Sequence, residues 1–302
     1  MDPVLLLLIL LGALAIFWTF SCALVLVTLW YTAHHGHTGE EYRYTGRLLQ
    51  HGWRGGRVWQ TLRRWMNHTY IPCEALVKKD EYNSVLYVAQ PHGMMALSAA
   101  LTFLSGAADR PAHKPVLLVV HDFYFRCPLL PPPLVRWLGW DRDRWSVPTV
   151  GLRNLMLALG CIDRRIESIA FALAQGFDVA VLPGGVLEMG PPLFPVPRPL
   201  PILKHARAPW FTSLVVPVQL RGEEDVCWVW HGEWCLIRLW RKLSYQLLGL
   251  FLFQPLVPRL HAWIRGKIKL NTICAPIPMR PHEFETLHDL QLAYEAWGKP
   301  ED

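Results

Sequence analysis

The sequence predicts an α/β fold, sandwich-like with a largely parallel sheet, preceded by an N-terminal transmembrane or re-entrant helix. Three observations lead there. Short apolar, β-branched runs recur along the chain, segments of helical period lie between them, and the N-terminus carries a long stretch without a charged side chain. Strands buried on both faces read as continuous apolar runs, and their alternation with helices marks parallel α/β construction.

The uncharged stretch runs from Val4 to Tyr31, 28 residues. As a helix it would measure roughly 42 Å against a hydrocarbon core of about 30 Å, enough for one tilted span. Gly12 also permits a kinked or re-entrant hairpin. A cleaved signal peptide fits less well, because the apolar region is long and Asp2, not a cation, precedes it. Arg43, Arg47, Arg54 and Arg57 follow the run while no Lys or Arg comes before it, so positive-inside bias puts the body of the protein in the cytosol. Seven cysteines without a CxxC pair agree with a reducing compartment. In that compartment the sequon Asn67-His68-Thr69 has no meaning. The net charge of +6 suits a surface beside anionic headgroups. The basic residues are dispersed and form no recognised nucleic-acid module.

Residues 33–83 read as an interfacial region behind an anchor at 1–32. Trp53, Trp59 and Trp65 stand there among Arg54, Arg57, Arg63 and Arg64, a mixture suited to the membrane–water boundary. A plain solvated basic helix is the alternative. From 84 to 302 the pattern is that of one domain. Strands are expected at Ser84–Gln90, Pro115–Val120, Asp178–Pro183 and Ser213–Leu220, each short and apolar. Helices are expected at Gly151–Gly160 and Arg165–Gly176. In the second, Ile166, Ile169, Ala170 and Leu173 share a face and Gly176 supplies the stop. Val226–Trp234 and Lys267–Ile277 read as further strands, and Phe284–Trp297 as a last helix. The proline-rich run after Pro128 cannot begin as a helix. Leu243–Val257 is too short for a confident span and reads as buried core or as a surface dipping into the bilayer.

Candidate chemistry sits at strand ends. His92 lies between Pro91 and Gly93, where the run Ser84–Gln90 stops, and an imidazole there can take a proton from a hydroxyl. Glu188 follows the run Asp178–Pro183, after Gly184 and Gly185, which let a substrate approach the main chain. In a parallel sheet both corners open on one edge. Arg164 or Arg165 supplies a fork of donors for phosphate. Each of these has an ordinary counterpart: a hydrogen-bonded structural histidine, a helix-start carboxylate, a solvated arginine pair. The His34–His37 run "HHGH" reads as an interfacial loop, and no metal is called for.

Taken together these segments resemble the type-2 diacylglycerol acyltransferase family, which includes monoacylglycerol and wax-alcohol acyltransferases. Tyr87–Ala99, "YVAQPHGMMALSA", is similar to its HPHG block. Thr69–Lys79, Phe125–Pro128, Leu182–Met189, Leu214–Glu224 and Cys274–Pro278 resemble, in order, the segment upstream of that block and the F-R-x-P, G-G-x-x-E, L-V-P-I-x-x-x-G-E and G-x-P-I motifs. Gly160–Arg164 is similar to the arginine block of glycerolipid acyltransferases. The likeness covers about residues 55–280. It departs at Gln90, where the motif has its first histidine, at Ala96 and Leu97, where phosphate-ester acyltransferases carry an aspartate, and at Cys274, where the motif has glycine.

The resemblance implies an acyltransferase domain that makes neutral lipid, most simply triacylglycerol from diacylglycerol, at the endoplasmic reticulum membrane. His92 would be the general base and Glu188 its orienting carboxylate. Gly184 and Gly185 would donate to the oxyanion, and Arg164 or Arg165 would hold the CoA phosphates. Gln90, Pro91 and Gly93 would line the same corner. Acyl-CoA is then a co-substrate, with no resident cofactor. The partners are membrane lipids and an acylglycerol or long-chain alcohol, with homo-oligomers left open and nucleic acid excluded. A catalytically inactive membrane scaffold of the same fold is the other reading. A lipid hydrolase is disfavoured, since no G-x-S-x-G elbow is present.

Overall fold

The computed structural model describes residues 56–78, 83–90, 96–110, 114–121, 125–128, 146–148, 156–157, 159–183, 211–223, 226–229, 256–258 and 268–297. Within them, helices α1 (Arg57–Trp65), α2 (Glu74–Lys78), α3 (Leu97–Ala99), α4 (Ile166–Ala174) and α5 (Leu287–Trp297) accompany the strands. A π-helical stretch, Ala100–Leu104, prolongs α3.

The central strands are β2 (Val85–Gln90), β3 (Leu117–Val120), β6 (Cys161–Asp163), β7 (Val179–Val181) and β8 (Leu214–Arg221). With β1 (Thr69–Ile71) and β11 (Asn271–Cys274) they form a seven-stranded sheet of order β1-β11-β8-β2-β7-β3-β6. From β8 to β6 the neighbours are all parallel. β11 runs antiparallel to β8, and β1 lies parallel to β11 at the sheet's edge. The predicted α/β construction with a largely parallel sheet is therefore what forms. Two small antiparallel ladders stand apart. One joins β4 (Arg126–Pro128) to β5 (Ser146–Pro148), the other β9 (Cys227–Val229) to β10 (Leu256–Pro258).

Side chains alternate across the sheet and fill two cores. Val85, Tyr87 and Ala89 of β2 point to one side with Leu118, Ala180, Val216 and Val218, under Ala99, Phe103 and Leu104. Tyr87 and Phe103 meet with ring centroids 5.5 Å apart. Leu86 and Val88 point to the other side, with Val119, Val179, Val181 and Val215, against Ile169, Ala172 and Leu173 of α4 and Leu290 of α5. Both faces of the sheet are thus covered, which is why its strands read as unbroken apolar runs.

The amino edge of the central strands is held by one buried ion pair. Arg110 reaches Asp178 with Nε 2.7 Å from Oδ2 and Nη2 2.8 Å from Oδ1. Asp178 Oδ1 also accepts from the amide of Val85 at 2.8 Å, and the Asp178 carbonyl accepts from Leu117 at 2.7 Å. One carboxylate residue thereby aligns the starts of β2, β3 and β7.

Several expectations change. No strand is expected at Gly160–Arg165, yet Cys161–Asp163 is the edge strand β6. Thr69–Ile71, in the stretch read as interfacial, pairs with β11 in the sheet. Leu256 and Val257, the end of the run Leu243–Val257, pair with β9, and the rest of that run lies outside the described residues. The last helix begins at Leu287, after a 3-10 turn at Pro281–Glu283, rather than at Phe284. No helix among the described residues is long and apolar enough to cross a membrane. Val4–Tyr31, the expected anchor, lies outside the described residues, as does most of Gly151–Gly160.

Candidate functional site

The carboxyl ends of β2, β7, β3, β6 and β8 gather on one edge of the sheet, because those strands are parallel. β2 and β7 are immediate neighbours, with Leu86 opposite Val179 and Val88 opposite Val181. The chain therefore leaves Gln90 and Pro183 from adjacent positions on that edge. Pro91, His92 and Gly93 follow the first exit, and Gly184, Gly185 and Glu188 follow the second. All six lie outside the described residues.

Gln90 is described. It is half-buried at the last position of β2, opposite Gln219 of β8. The Gln219 Oε1 accepts from Arg221 Nε at 3.0 Å and from Nη2 at 2.7 Å. Arg164 and Arg165 follow β6, three strand spacings from β2, or about 14 Å. Their environments differ. Arg165 is turned onto Asp163, with Nη2 2.8 Å and Nε 2.9 Å from Oδ2, and it occupies the N-cap position of α4 without a side-chain capping hydrogen bond. Arg164 is exposed. At this corner Arg164 adjoins the amino end of α4, whose first turn also carries Glu167. Arg165 first serves its own loop.

Three further residues of this edge are not among the candidate site residues, although Glu223 falls on the glutamate of the L-V-P-I-x-x-x-G-E likeness. His121 follows β3 directly, so it stands on the strand next to β7. Glu223 and His68 belong to a buried polar chain. Glu223, 5% exposed, accepts at Oε1 from the amide of Ser98 at 2.5 Å, at the start of α3. The Ser98 carbonyl accepts from Thr272 Oγ1 at 3.4 Å, and Thr272 Oγ1 accepts from Thr102 Oγ1 at 2.7 Å. Thr102 Oγ1 lies 3.0 Å from His68 Nε2, and Thr272 Oγ1 lies 3.2 Å from it. With both threonine protons committed, the network assigns the proton to His68 Nε2, which donates. Burial first, and the Arg63 charge second, push the His68 pKa down to about 4, so the ring is neutral at pH 7.

This chain ties α3, which follows the Pro91–Gly93 segment, to β8, β11 and the turn before β1. Gly222 makes the connection possible. Its φ is +88°, and a Cβ there would overlap the Lys269 carbonyl oxygen. The thiols nearby are set for packing, not chemistry. Cys73 and Cys274 are buried, and burial pushes the Cys274 pKa up to about 12. Among the described residues no group of three or more His, Cys, Asp or Glu side chains is placed to hold a metal ion. The His34–His37 run lies outside them.

Among the described residues the arrangement brings together two neighbouring parallel strand ends, an exposed arginine at a helix start, and a buried polar chain that joins α3 to β8 and β11. Compared with protein-family models, curated proteins and solved structures, the chain finds no match.

Proposed function

We propose that the protein is a membrane-bound, acyl-CoA-dependent O-acyltransferase that makes neutral lipid, with triacylglycerol from diacylglycerol as the first expectation. The observation that carries the reading is the adjacency of β2 and β7 in parallel, since these are the strands followed by His92 and Glu188. The order of sequence motifs along residues 55–280 supports the same reading.

His92 removes the proton of the acceptor hydroxyl as its oxygen attacks the thioester carbonyl. The C–O bond forms, the tetrahedral oxyanion collapses, and the C–S bond breaks. The CoA thiolate leaves and takes the proton from the imidazolium, so the base is regenerated. Glu188 holds the imidazole and steadies its charge. Gly184 and Gly185 offer main-chain donors to the oxyanion. Arg164 meets CoA phosphate at the start of α4, and the pantetheine arm covers the separation between β6 and β2. Acceptor and product are insoluble in water, so an anchor at residues 1–32 keeps the reaction at the endoplasmic reticulum surface while CoA arrives from the cytosol.

Membranes containing the full chain, incubated with labelled acyl-CoA and diacylglycerol, monoacylglycerol or a long-chain alcohol, test this directly. The expected result is label in one neutral lipid class. Label in none, with the chain present and folded, leaves the inactive scaffold, the reading that Gln90 favours.

A further inference from the structure

We infer that α1 is the surface on which the folded domain rests against a bilayer with anionic headgroups, holding the carboxyl edge of the sheet at headgroup level. The inference rests on the membrane reading above and adds which residues meet the lipid.

The argument begins with the two sides of the helix. Trp59 and Leu62 turn inward and pack against Met66, Leu101, Val226, Ile268 and Leu270. Val58 and Trp65 stand on another side of the helix. They are 61% and 45% exposed, and being seven residues apart they stand within about 20° of each other on the helix. A helix seated on its own domain normally turns polar residues to that side. Beside this apolar line run Arg57 and Arg64, also seven apart and both exposed, and α1 contains no acidic residue. Tryptophan next to arginine on a solvent-facing strip matches the boundary between headgroups and acyl chains. The sequence alone treats Trp59 and Trp65 alike; the fold separates them, sending Trp59 into the domain and leaving Trp65 outside.

An acidic protein could complement the same strip, but position favours lipid. Only residues 32–56 separate the uncharged run ending at Tyr31 from Arg57. A segment held in the bilayer raises the local concentration of headgroups at α1 without any further affinity. The placement of α1 gives this contact a purpose. Ile268 and Leu270 lead into β11, Val226 follows β8, and the turn Met66–His68 leads into β1, so the helix packs beside the carboxyl end of β8 and the entries to β11 and β1. Lipid touching Val58 and Trp65 is then beside the edge from which the chain continues to His92 and Glu188.

The test places a photoreactive benzoylphenylalanine at position 58, 65 or 171 of the full chain. Phe171, 46% exposed on α4, is the control. Each protein is reconstituted into vesicles of phosphatidylcholine with phosphatidylserine, or of phosphatidylcholine alone, and irradiated. Lipid adducts at 58 and 65 should exceed those at 171 several-fold, and phosphatidylserine should increase them. Adducts no higher than at 171, or adducts to a second copy or to residues 1–55 instead of lipid, overturn the inference. Carbonate extraction and acyl transfer are read on the same preparations. Retention without adducts overturns the docking surface and leaves the anchor standing. Release by carbonate without adducts overturns both. Adducts without acyl transfer uphold the surface and remove the enzyme.

Discussion

At the scale of single residues, the sharpest expectations concern buried charge. Arg110 and Asp178 are 8% and 0% exposed and share two hydrogen bonds. Truncating one partner strands the other in the interior, so Arg110→Ala should cost about 3–5 kcal/mol. Thermal unfolding of the variant in detergent checks this, and a loss under 1 kcal/mol would show that the pair contributes little to the amino edge. His68 gives a pH prediction. Its folded pKa of about 4 lies below the unfolded value of 6.5. Between these values the unfolded chain binds more protons, so stability rises with pH through the window and is lost as pH falls below 6.5. The slope attributable to this group is at most on the order of 1.4 kcal/mol per pH unit. Wild-type protein should therefore lose melting temperature from pH 7 to pH 5, and His68→Gln should flatten that loss. Parallel curves for the two proteins would place the titration elsewhere.

At the scale of elements, the strands that were legible are those buried on both faces. Ser84–Gln90 reads as a strand because Val85 to Ala89 are all apolar, and they are apolar because a helical layer covers each side. β1 and β6 were not legible. Thr69–Ile71 and Cys161–Asp163 are three residues each at the two sheet edges, too short to show a period. In β6 the adjoining arginines drew attention to binding and hid the strand. Glu223 and His68 escaped for another reason. Their partners lie 34 to 204 positions away, and no local spacing reports such a contact. His121 obeys the same strand-end rule that singled out His92, so a consistent use of that rule would have found it.

The join between β8 and the entry to β11 offers the element-scale prediction. Gly222 is positive in φ and lies against the Lys269 backbone. Gly222→Ala must displace main chain, and a loss of about 2 kcal/mol or more is expected, beyond the ordinary cost of a left-handed alanine. Because Glu223 moves with it, hydrogen exchange at the Ser98 amide should rise. Unchanged stability and unchanged exchange would mean that the join tolerates movement and does not fix α3.

At the scale of the whole molecule, the layers follow from composition and the site follows from topology. A chain that is 52% hydrophobic can cover a sheet on both faces, and parallel strands then bring every carboxyl end to one edge. That is how residues as distant in sequence as Gln90 and Pro183 come to leave the sheet side by side. The edge is legible in the sequence because the strands are. His92 and Glu188 stand out in the sequence because each follows one of these strand ends. The contact of Arg165 with Asp163 depends on how the chain turns after β6, which no spacing in the sequence reports.

The central proposal is that the imidazole of His92, which follows β2 in the sequence, does the proton transfer. It is tested most directly by single-turnover acyl transfer from labelled acyl-CoA, comparing His92→Ala with wild type in identical vesicles at matched protein content. The account predicts a fall of roughly 10²–10⁴-fold with thermal stability and membrane retention unchanged, the range a positioned general base supplies. Transfer within about twofold of wild type would contradict it.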